Sequence, residues 1–269
     1  MKSLLKNMFR PLYRYVNTKQ ERELCRLLDT FGYAKRFTRH ENIRFLNYTF
    51  DIPDMPSFIG QFKEIFVDEI YKFESKNAVP VIFDCGSNIG TSLLYFRKIH
   101  PNAKIIGFEA DNAIAELSRE NLRQNAITDV TVIDSAVWIN DNGIEFATEG
   151  ADGGSIKGEG NVHKVPSIRL RDFLQKEESI DFLKIDIEGA EYDVMQDCSD
   201  TLSHIENIFI EYHSWNHSPQ KLGDILHILE KNEFRYYIED ISKRSHPLID
   251  KNISGNMDLQ LNIFGYKSR

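Results

Sequence analysis

Ionisable side chains lie at or directly after the ends of four short apolar runs, each with the length of a buried strand. They are Asp84, Glu109, Lys184 with Asp186, and Glu211 with His213. The carboxyl ends of parallel strands meet at one edge of an α/β sheet, and such proteins bind ligands and carry reacting groups there. A carboxylate can accept hydrogen bonds from hydroxyl groups, and a histidine can take up a proton near neutral pH. The pattern therefore predicts a ligand site with acid–base chemistry at this edge.

The segment VIFDCGSNIGTS, residues 81–92, predicts a strand, a tight loop and a helix. This unit binds nucleotide-like ligands in α/β folds, and Gly86 and Gly90 allow the sharp turn and the close approach of a ligand. Asn88 stands where a dinucleotide-binding loop has its second glycine, and no phosphate-binding Gly-Lys-Ser/Thr follows. Asp84 disfavours a phosphate and favours an ammonium group. The loop therefore indicates S-adenosylmethionine, which carries an ammonium and a sulfonium but no phosphate; a purely structural turn is the alternative.

Two other strand ends predict further cofactor contacts. Glu109 lies about 20 residues past the loop, where an acid accepts the ribose hydroxyls of either S-adenosylmethionine or NAD. Asp134 could accept from the adenine amino group, or could simply cap a turn. The predicted cofactor-binding residues are Asp84, Gly86, Ser87, Asn88, Gly90, Glu109, Ala110, Asp134, Ser135, Ala136 and Asp186.

Strand and helix patterns alternate from residue 81 onward and predict an α/β fold. Five strands with intervening helices are followed by two strands, Phe234–Ile238 and Asp258–Tyr266, with no clear helix between them. We expect a Rossmann-like seven-stranded sheet with helices on both faces and an antiparallel pair at one edge. Residues 57–269 would form this domain, and residues 1–56 a mainly helical extension.

Segments outside the sheet carry their own patterns. Residues 1–16 form a basic amphipathic stripe, which could dock on the domain or lie weakly on an anionic membrane surface. Residues 17–40 read as helical, Ile43–Ile52 as a strand, and Phe58–Phe73 as a helical cap beside the cofactor. Glycines crowd residues 140–165, which predicts a lid over the substrate or a solvated loop.

Net charge, cysteine spacing and the length of the apolar runs limit the classes of function and location that we expect. A net charge of −8 argues against bulk nucleic-acid binding. The three cysteines are far apart and form no CxxC pair, which is typical of a reducing compartment. No apolar run has the length of a membrane span and no secretory signal is evident, so we expect a cytoplasmic protein, with a peripheral contact at the inner membrane face as the variant.

Several of these motifs together resemble the FkbM-type methyltransferases, a branch of the class I S-adenosylmethionine-dependent enzymes. The matching stretches are VIFDCGSNIG at 81–90, IGFEAD at 106–111, Asn121–Asn125, DFLKIDIEGAE at 181–191 and IFIEYH at 208–213. They come in the family's order and cover roughly residues 60 to 266. One departure is Arg171, where the family often has an aspartate. The resemblance implies O-methylation of a sugar, a glycan or a related small hydroxyl compound.

The expected reaction is an in-line displacement at the sulfonium methyl, with removal of the acceptor's hydroxyl proton. His213 is the predicted base and Asp186 its partner at the acceptor. Glu211 and Lys184 are further catalytic candidates, although Lys184 could instead pair with a carboxylate. Asp186, Glu211 and His213 could also bind a divalent metal ion such as Mg²⁺.

Two other hypotheses stay open. One is a nicotinamide-dependent oxidoreductase on the same sheet, which the missing second glycine of the loop disfavours. The other is a non-catalytic module used for assembly, which the complete set of Asp84, Glu109, Asp186 and His213 disfavours.

Overall fold

The computed structural model describes residues 18–148, 161–241, 244–252 and 256–268. The basic stripe at residues 1–16 lies outside these ranges, so its docking or membrane contact stays a prediction. The centre of the predicted lid at 140–165 also lies outside, although the arms on either side pair as an antiparallel hairpin. Within the described ranges, no helix combines the length and apolar character needed to cross a bilayer.

The N-terminal part of the chain folds as a helix, a hairpin and a second helix. Its elements are α1 (Lys19–Phe31), β1 (His40–Phe45), β2 (Tyr48–Ile52), α2 (Met55–Phe62) and a π-helix (Lys63–Val67) that continues α2 directly. The prediction of one strand over Ile43–Ile52 is wrong, because Leu46 adopts a left-handed φ of 52° and the chain folds back as a hairpin. The helical stretches predicted at 17–40 and 58–73 are both shorter in the structure.

The remaining elements alternate strands and helices, as predicted. In chain order they are β3 (Val81–Cys85), α3 (Thr91–Ile99), β4 (Lys104–Glu109), α4 (Asn112–Gln124), β5 (Val130–Asp134), β6 (Ala136–Trp138), β7 (Ile144–Thr148), β8 (Asn161–Val165), β9 (Ser167–Arg169), α5 (Leu170–Leu174), β10 (Ile180–Ile185), α6 (Glu191–Asp197), a 3-10 helix (Leu202–His204), β11 (Ile205–Trp215), α7 (Leu222–Lys231), β12 (Phe234–Asp240) and β13 (Met257–Lys267). The expectation of a helix from Ser167 is wrong for its first three residues, since they form β9 and pair with β6.

The central sheet contains seven strands in the order β12-β13-β11-β10-β3-β4-β5. β10 runs parallel to both β3 and β11, whereas β13 is antiparallel to β11 and to β12. The predicted seven-stranded sheet with an antiparallel pair at one edge is therefore confirmed. Its register places Lys184 of β10 beside Asp84 of β3 on one side and Phe209 of β11 on the other.

Buried side chains alternate between the two faces of the sheet because successive strand residues point in opposite directions. Ile82 packs into a cluster with α1, α2, α3 and α4, whereas its neighbour Phe83 packs with α5, α6 and α7. Helices thus cover both faces, as predicted. The N-terminal helices α1 and α2 share the cluster that contains Ile82. The domain boundary predicted between residues 56 and 57 falls within α2, and the division into two domains stays a prediction.

Asn121 of α4 and Asn125, the residue directly after α4, fasten the N-terminal hairpin to the rest of the fold. Asn121 accepts from the backbone N–H of Asp51 at 2.8 Å and donates to its carbonyl at 3.1 Å. Asn125 makes the same pair of bonds with Thr49, at 3.0 and 2.8 Å. Asn121 also donates to the carbonyl of Ile89 at 3.1 Å. The free edge of β2 is therefore satisfied by side-chain amides, and one of them also holds the loop after β3.

Candidate active site

A cavity of about 480 Å³ lies at the carboxyl ends of the parallel strands. Its volume is within the range of about 300–1,000 Å³ that is usual for small-molecule sites. Four loops that follow strands line it: Gly86–Asn88 after β3, Glu109–Asp111 from β4, Ser135–Val137 after β5 and Asp186–Glu188 after β10. Glu211 of β11 and Gln260 of β13 extend this lining, and α2 with its π-helix forms the opposite wall.

The loop after β3 is held tightly between β4 and β10. Gly86 has a φ of +87°, and a Cβ atom there would lie 1.9 Å from the carbonyl oxygen of Asp186. The backbone N–H groups of Gly86 and Ser87 both donate to the carbonyl of Phe108, at 3.0 and 2.9 Å. Glycine is therefore required at position 86 by both the backbone angle and the close contact between the two loops.

Glu109 links the loops that follow β3 and β4. Its Oε2 accepts from the backbone N–H of Asn88 at 2.9 Å, and its Oε1 accepts from the N–H of Asp111 at 3.0 Å. Burial raises the pKa of Glu109 to about 7, although these two hydrogen bonds oppose the shift. Each carboxylate oxygen can accept a second hydrogen bond, so Glu109 can still receive two hydroxyl groups from a ligand in the cavity.

Lys184 occupies the centre of the site and is 3 % exposed. Its Nζ donates to the carbonyl of Gly86 at 2.9 Å and lies 3.2 Å from Asp84 Oδ1 and 3.1 Å from Asp186 Oδ2. Burial lowers the pKa of Lys184, but the charges of Asp186 and Asp84 outweigh burial and raise it well above the usual value. The side chain is thus a fixed ammonium group. These contacts fit the alternative that Lys184 pairs with carboxylates and joins the two loops, and its catalytic role stays a prediction.

Three of the predicted cofactor contacts lie behind the cavity wall. Asp84 is fully buried, takes a hydrogen bond from Ser92 Oγ and does not line the cavity. Gly90 begins α3 with a φ of +90° and packs against Ser118 of α4. Asp134 turns away, since it accepts from Asn112 at 2.9 Å and pairs with Arg119 at 3.2 Å. Contacts within the protein engage both acids. This arrangement therefore does not favour the predicted contact of Asp134 with adenine or of Asp84 with an ammonium group.

His213 is buried among carboxylates. Its Nδ1 lies 3.0 Å from Glu191 Oε1, and its Nε2 lies 3.6 Å from Glu211 Oε1 and 3.7 Å from Glu188 Oε2. Burial lowers the pKa of His213, but the charges of Glu188 and Glu191 outweigh burial and raise it well above 6.5. Carboxylates therefore lie near both ring nitrogens, and Gln260 Nε2 lies 3.4 Å from the ring Nε2. The role of His213 as the base stays a prediction, and the raised pKa disfavours it because it lowers the fraction of neutral imidazole that could accept a proton.

Four carboxyl groups face the cavity around His213 and Lys184: Glu64, Asp186, Glu188 and Glu211. Burial is the main cause that raises the pKa of Glu64 to about 7, of Asp186 to about 6 and of Glu188 to about 8. Burial also acts on Glu211, but His213 and Gln260 outweigh it and lower its pKa. Glu64 and Glu188 are therefore partly protonated near neutral pH, and a positively charged ligand would favour their ionised forms.

Glu188 sits in the left-handed region, with a φ of 52°. This conformation is uncommon for a residue with a Cβ atom, and such residues cluster at functional sites, where the surrounding structure imposes the strain. Glu191 imposes it in part, since its carboxylate accepts from the N–H groups of Ile187 and Gly189 on either side. Glu188 and Glu191 both lie beside His213.

Asp186, Glu211 and His213 have ligand atoms that all lie within 4.8 Å of one another. The predicted trio is thus brought together in space. A metal-binding histidine usually directs its second nitrogen to a carboxylate, and Glu191 occupies that position at Nδ1. The donor set is compatible with a divalent cation.

The sequence model of the family described as "Methyltransferase FkbM domain" matches residues 84–236, which is more than half of the chain. The chain belongs to this family, and the resemblance proposed from its motifs is confirmed. The matched span contains every predicted site residue, from Asp84 in the loop after β3 to His213 in β11.

Two curated relatives and one solved structure illustrate the similarity. "Methyltransferase sdnD" of Sordaria araneosa is 27 % identical over 174 residues, covering 50 % of this chain and 66 % of that protein. "2-O-methyltransferase NoeI" of Sinorhizobium fredii is 30 % identical over 155 residues, covering 49 % of this chain and 63 % of that protein. This chain therefore spans less than two thirds of either relative. The crystal structure of a methyltransferase FkbM from Methylobacillus flagellatus matches 74 % of this chain and 46 % of that one, with 17 % identity and a TM-score of 0.47.

Proposed function

We propose that this protein is an S-adenosylmethionine-dependent O-methyltransferase that acts on a hydroxyl group of a sugar, a glycan or a related small molecule. Membership of the FkbM methyltransferase family supports methyl transfer from this cofactor. The relative that carries the name 2-O-methyltransferase supports oxygen as the acceptor atom. The observation that carries the proposal is the cavity at the carboxyl ends of the strands, with a hydroxyl-accepting carboxylate at one end and an acidic cluster at the other.

The cofactor would occupy the end formed by the loops after β3, β4 and β5. Glu109 would accept the two ribose hydroxyls through the lone pairs that its backbone contacts leave free. Ser87 lines this end, and its buried hydroxyl has no hydrogen-bond partner among the described residues, so a polar group of a ligand can satisfy it. The sulfonium would point toward Asp186, and its positive charge would be stabilised by the acidic cluster.

The acceptor would occupy the opposite end, against α2 and β13. Gln61, Gln260 and Glu188 line this part of the cavity and together offer donors and acceptors that suit neighbouring hydroxyl groups. A neutral polyhydroxylated molecule satisfies such groups without adding to the negative charge. Holding its reacting oxygen in line with the sulfonium methyl would supply much of the rate enhancement.

A divalent cation at Asp186, Glu211 and His213 is the variant that the geometry of these three side chains favours. It would hold the acceptor oxygen and stabilise its negative charge as the proton leaves. Binding requires the neutral imidazole, so a metal would displace the proton from His213 Nε2 while Nδ1 stays on Glu191. Dialysis against EDTA followed by readdition of Mg²⁺ or Mn²⁺ tests this variant, and full activity in EDTA would exclude it.

The proposal is tested first by calorimetry with S-adenosylmethionine, S-adenosylhomocysteine and NADH. We expect both adenosyl compounds to bind and NADH not to bind; the reverse result would support an oxidoreductase. The second test is a panel of methyl glycosides of neutral hexoses and 6-deoxyhexoses, with S-adenosylhomocysteine formation and a mass gain of one methyl group as readouts. Cofactor binding without transfer to any tested hydroxyl would contradict the acceptor class and favour a different substrate or the non-catalytic assembly module.

A further inference from the structure

The wall opposite the sheet is built by α2 and the π-helix that follows it. The backbone N–H of Asp68 donates to the carbonyl of Lys63 at 2.8 Å, five residues earlier, which defines the π turn. Phe62 and Phe66 stack on each other at 5.3 Å, and both are buried in the first hydrophobic cluster. These contacts fix the rotation of the segment. π turns are rare and occur frequently at functional sites.

One face of this segment lines the cavity. Ser57, Gly60, Gln61 and Glu64 are spaced as i, i+3, i+4 and i+7, the spacing that brings residues onto one side of a helix. The opposite side carries Phe58, Phe62 and Phe66 into the core. The packing of the phenylalanines in the core therefore sets the orientation of this segment. Glu64 is the acidic residue on the side that lines the cavity.

Glu64 differs from the other three carboxyl groups of the cavity. Asp186 pairs with Lys184, Glu188 lies against His213, and Glu211 accepts from Gln260. Across the described ranges, by contrast, no hydrogen bond or ion pair reaches the Glu64 carboxylate. It is half-buried, and its charged neighbours are Glu211 and Asp186 on the sheet, with Lys63 and Asp68 on its own segment. Its oxygens are thus free to meet a substrate.

We propose that Glu64 is the catalytic base that removes the proton from the acceptor hydroxyl. This inference rests on the proposed methyl transfer to oxygen. In the step, the hydroxyl oxygen forms a bond to the methyl carbon as the carbon–sulfur bond breaks, and the electron pair of that bond stays on sulfur. The sulfonium becomes a neutral thioether, and the hydroxyl proton moves to a Glu64 oxygen and later to water.

Two features of the site support this assignment over the residues at the strand ends. Lys184 donates to Gly86 between Asp84 and Asp186, and His213 directs its Nδ1 to Glu191, so contacts within the protein already engage both side chains. The pKa of Glu64 is raised by burial to about 7, which is close to the optimum for a base that works near neutral pH. Glu64 also approaches from the wall opposite the sheet, on the side where the acceptor would bind.

The first experiment compares Glu64→Gln with the matched control Glu69→Gln. Glu69 follows the same segment, pairs with Lys72 and does not line the cavity. With an acceptor found in the glycoside panel, we expect Glu64→Gln to lower kcat by about 10²–10⁴-fold while S-adenosylmethionine affinity is unchanged. The rise of kcat with pH near 7 should also disappear in this variant. Turnover within threefold of wild type would overturn the proposal, whereas a wild-type protein that methylates no glycoside points instead to failure of the proposed function.

The second experiment needs no acceptor. Carbon-13 NMR of protein labelled at the glutamate side-chain carboxyl carbons, with S-adenosylhomocysteine bound and EDTA present, follows each carboxyl group with pH. The Glu64 signal is assigned by its absence from Glu64→Gln or, if that variant does not fold, from Glu64→Asp. We expect it to titrate near 7. A midpoint near the ordinary glutamate value would overturn the proposal whatever the acceptor is.

Discussion

Glu191 holds His213 by a contact of 3.0 Å between its Oε1 and the ring Nδ1, and both side chains are only 1 % exposed. Glu191 opens α6, whereas His213 lies near the end of β11, so the contact joins the helix after β10 to the neighbouring strand. The same carboxylate accepts from the backbone of the Glu188 loop. One acid therefore sets the proton position on the histidine and the shape of the loop beside it.

Glu191→Gln should weaken this arrangement while it preserves the shape of the side chain. We expect the pKa of His213 to fall, because one of the two carboxylates that raise it becomes neutral. The free energy of unfolding should fall by about 1.5–3 kcal/mol, the range for a hydrogen bond to a charged group. Urea unfolding and proton NMR of the histidine ring measure the two effects. Glu177→Gln, which breaks a surface pair with Lys104, is the control and should cost less than about 1 kcal/mol.

Stability of the ligand-free protein should fall as pH rises from 6 to 9. The pKa of His213 is raised, so its stabilising contribution is complete below about 6.5 and is lost as the pH rises through the folded-state pKa. The pKa values of Glu64, Asp186 and Glu188 are raised to about 7, 6 and 8, so the folded state keeps protons that the unfolded state has released, which also lowers stability with rising pH. Urea unfolding in EDTA at each pH measures this slope. A flat or rising profile would contradict these protonation states.

Lys184→Met should destabilise the fold as well as the site. It removes the cation between Asp84 and Asp186 and leaves two carboxylates together. Removing one partner from a buried ion pair costs about 3–5 kcal/mol. Chemical unfolding of the variant measures the loss, and Lys72→Met, which breaks an exposed pair with Glu69, should cost less than about 1 kcal/mol. Similar stability of the two variants would mean that Lys184 does not hold the loops together.

Gly60 offers a way to fill the acceptor end without touching the cofactor end. No atom lies within 4 Å of a Cβ added there, and the residue faces the cavity from α2. Gly60→Ala should therefore stabilise the helix by about 0.5–1 kcal/mol. Gly60→Phe should lower acceptor turnover at least tenfold and leave S-adenosylmethionine affinity near wild type. If calorimetry shows that Gly60→Phe blocks the cofactor instead, the two ends of the cavity are assigned the wrong way round.

Glu109→Ala should weaken S-adenosylmethionine binding by about 2–4 kcal/mol, as expected for two lost charge-assisted hydrogen bonds. The wild-type affinity should also fall as the pH drops below about 7, because protonation of Glu109 removes acceptor capacity. Calorimetry between pH 6 and pH 8 on both proteins measures these effects. The pH dependence should be smaller in the variant, and unchanged affinity in the variant would exclude the ribose contact.

The seven strands of the sheet and the loops that follow them could be predicted because local patterns encode them. Apolar runs that end in Asp84, Glu109 and Asp186 mark buried strands, and the glycines after β3 mark the tight loop. Hydrogen bonds to distant residues decide whether each acid faces the cavity. Asp134 ends its strand as expected, but Arg119 and Asn112 of α4 draw it away, and no local pattern records that contact.

The protonation states of the site residues and the cavity wall formed by α2 and its π-helix could not be predicted from local patterns. Whether His213 is a base depends on Glu188, Glu191 and Glu211, which come from the loop after β10, from α6 and from β11. Glu64 was missed because the aromatic residues of its segment dominate the pattern. The signal is present, since Ser57, Gln61 and Glu64 form a polar stripe at helical spacing among buried phenylalanines. A polar stripe on an otherwise buried helix therefore indicates a side that lines a ligand cavity.

The hydrogen bonds from Asn121 and Asn125 to β2 affect how the chain folds during synthesis. Asp51 and its partner Asn121 are 70 residues apart, and Thr49 and Asn125 are 76 apart. A lone two-stranded hairpin is at best marginally stable in water. The backbone groups at the outer edge of β2 gain their hydrogen-bond partners only when Asn121 and Asn125 are in place. The β1–β2 hairpin therefore settles into its final place only after the chain has been synthesised as far as Asn125.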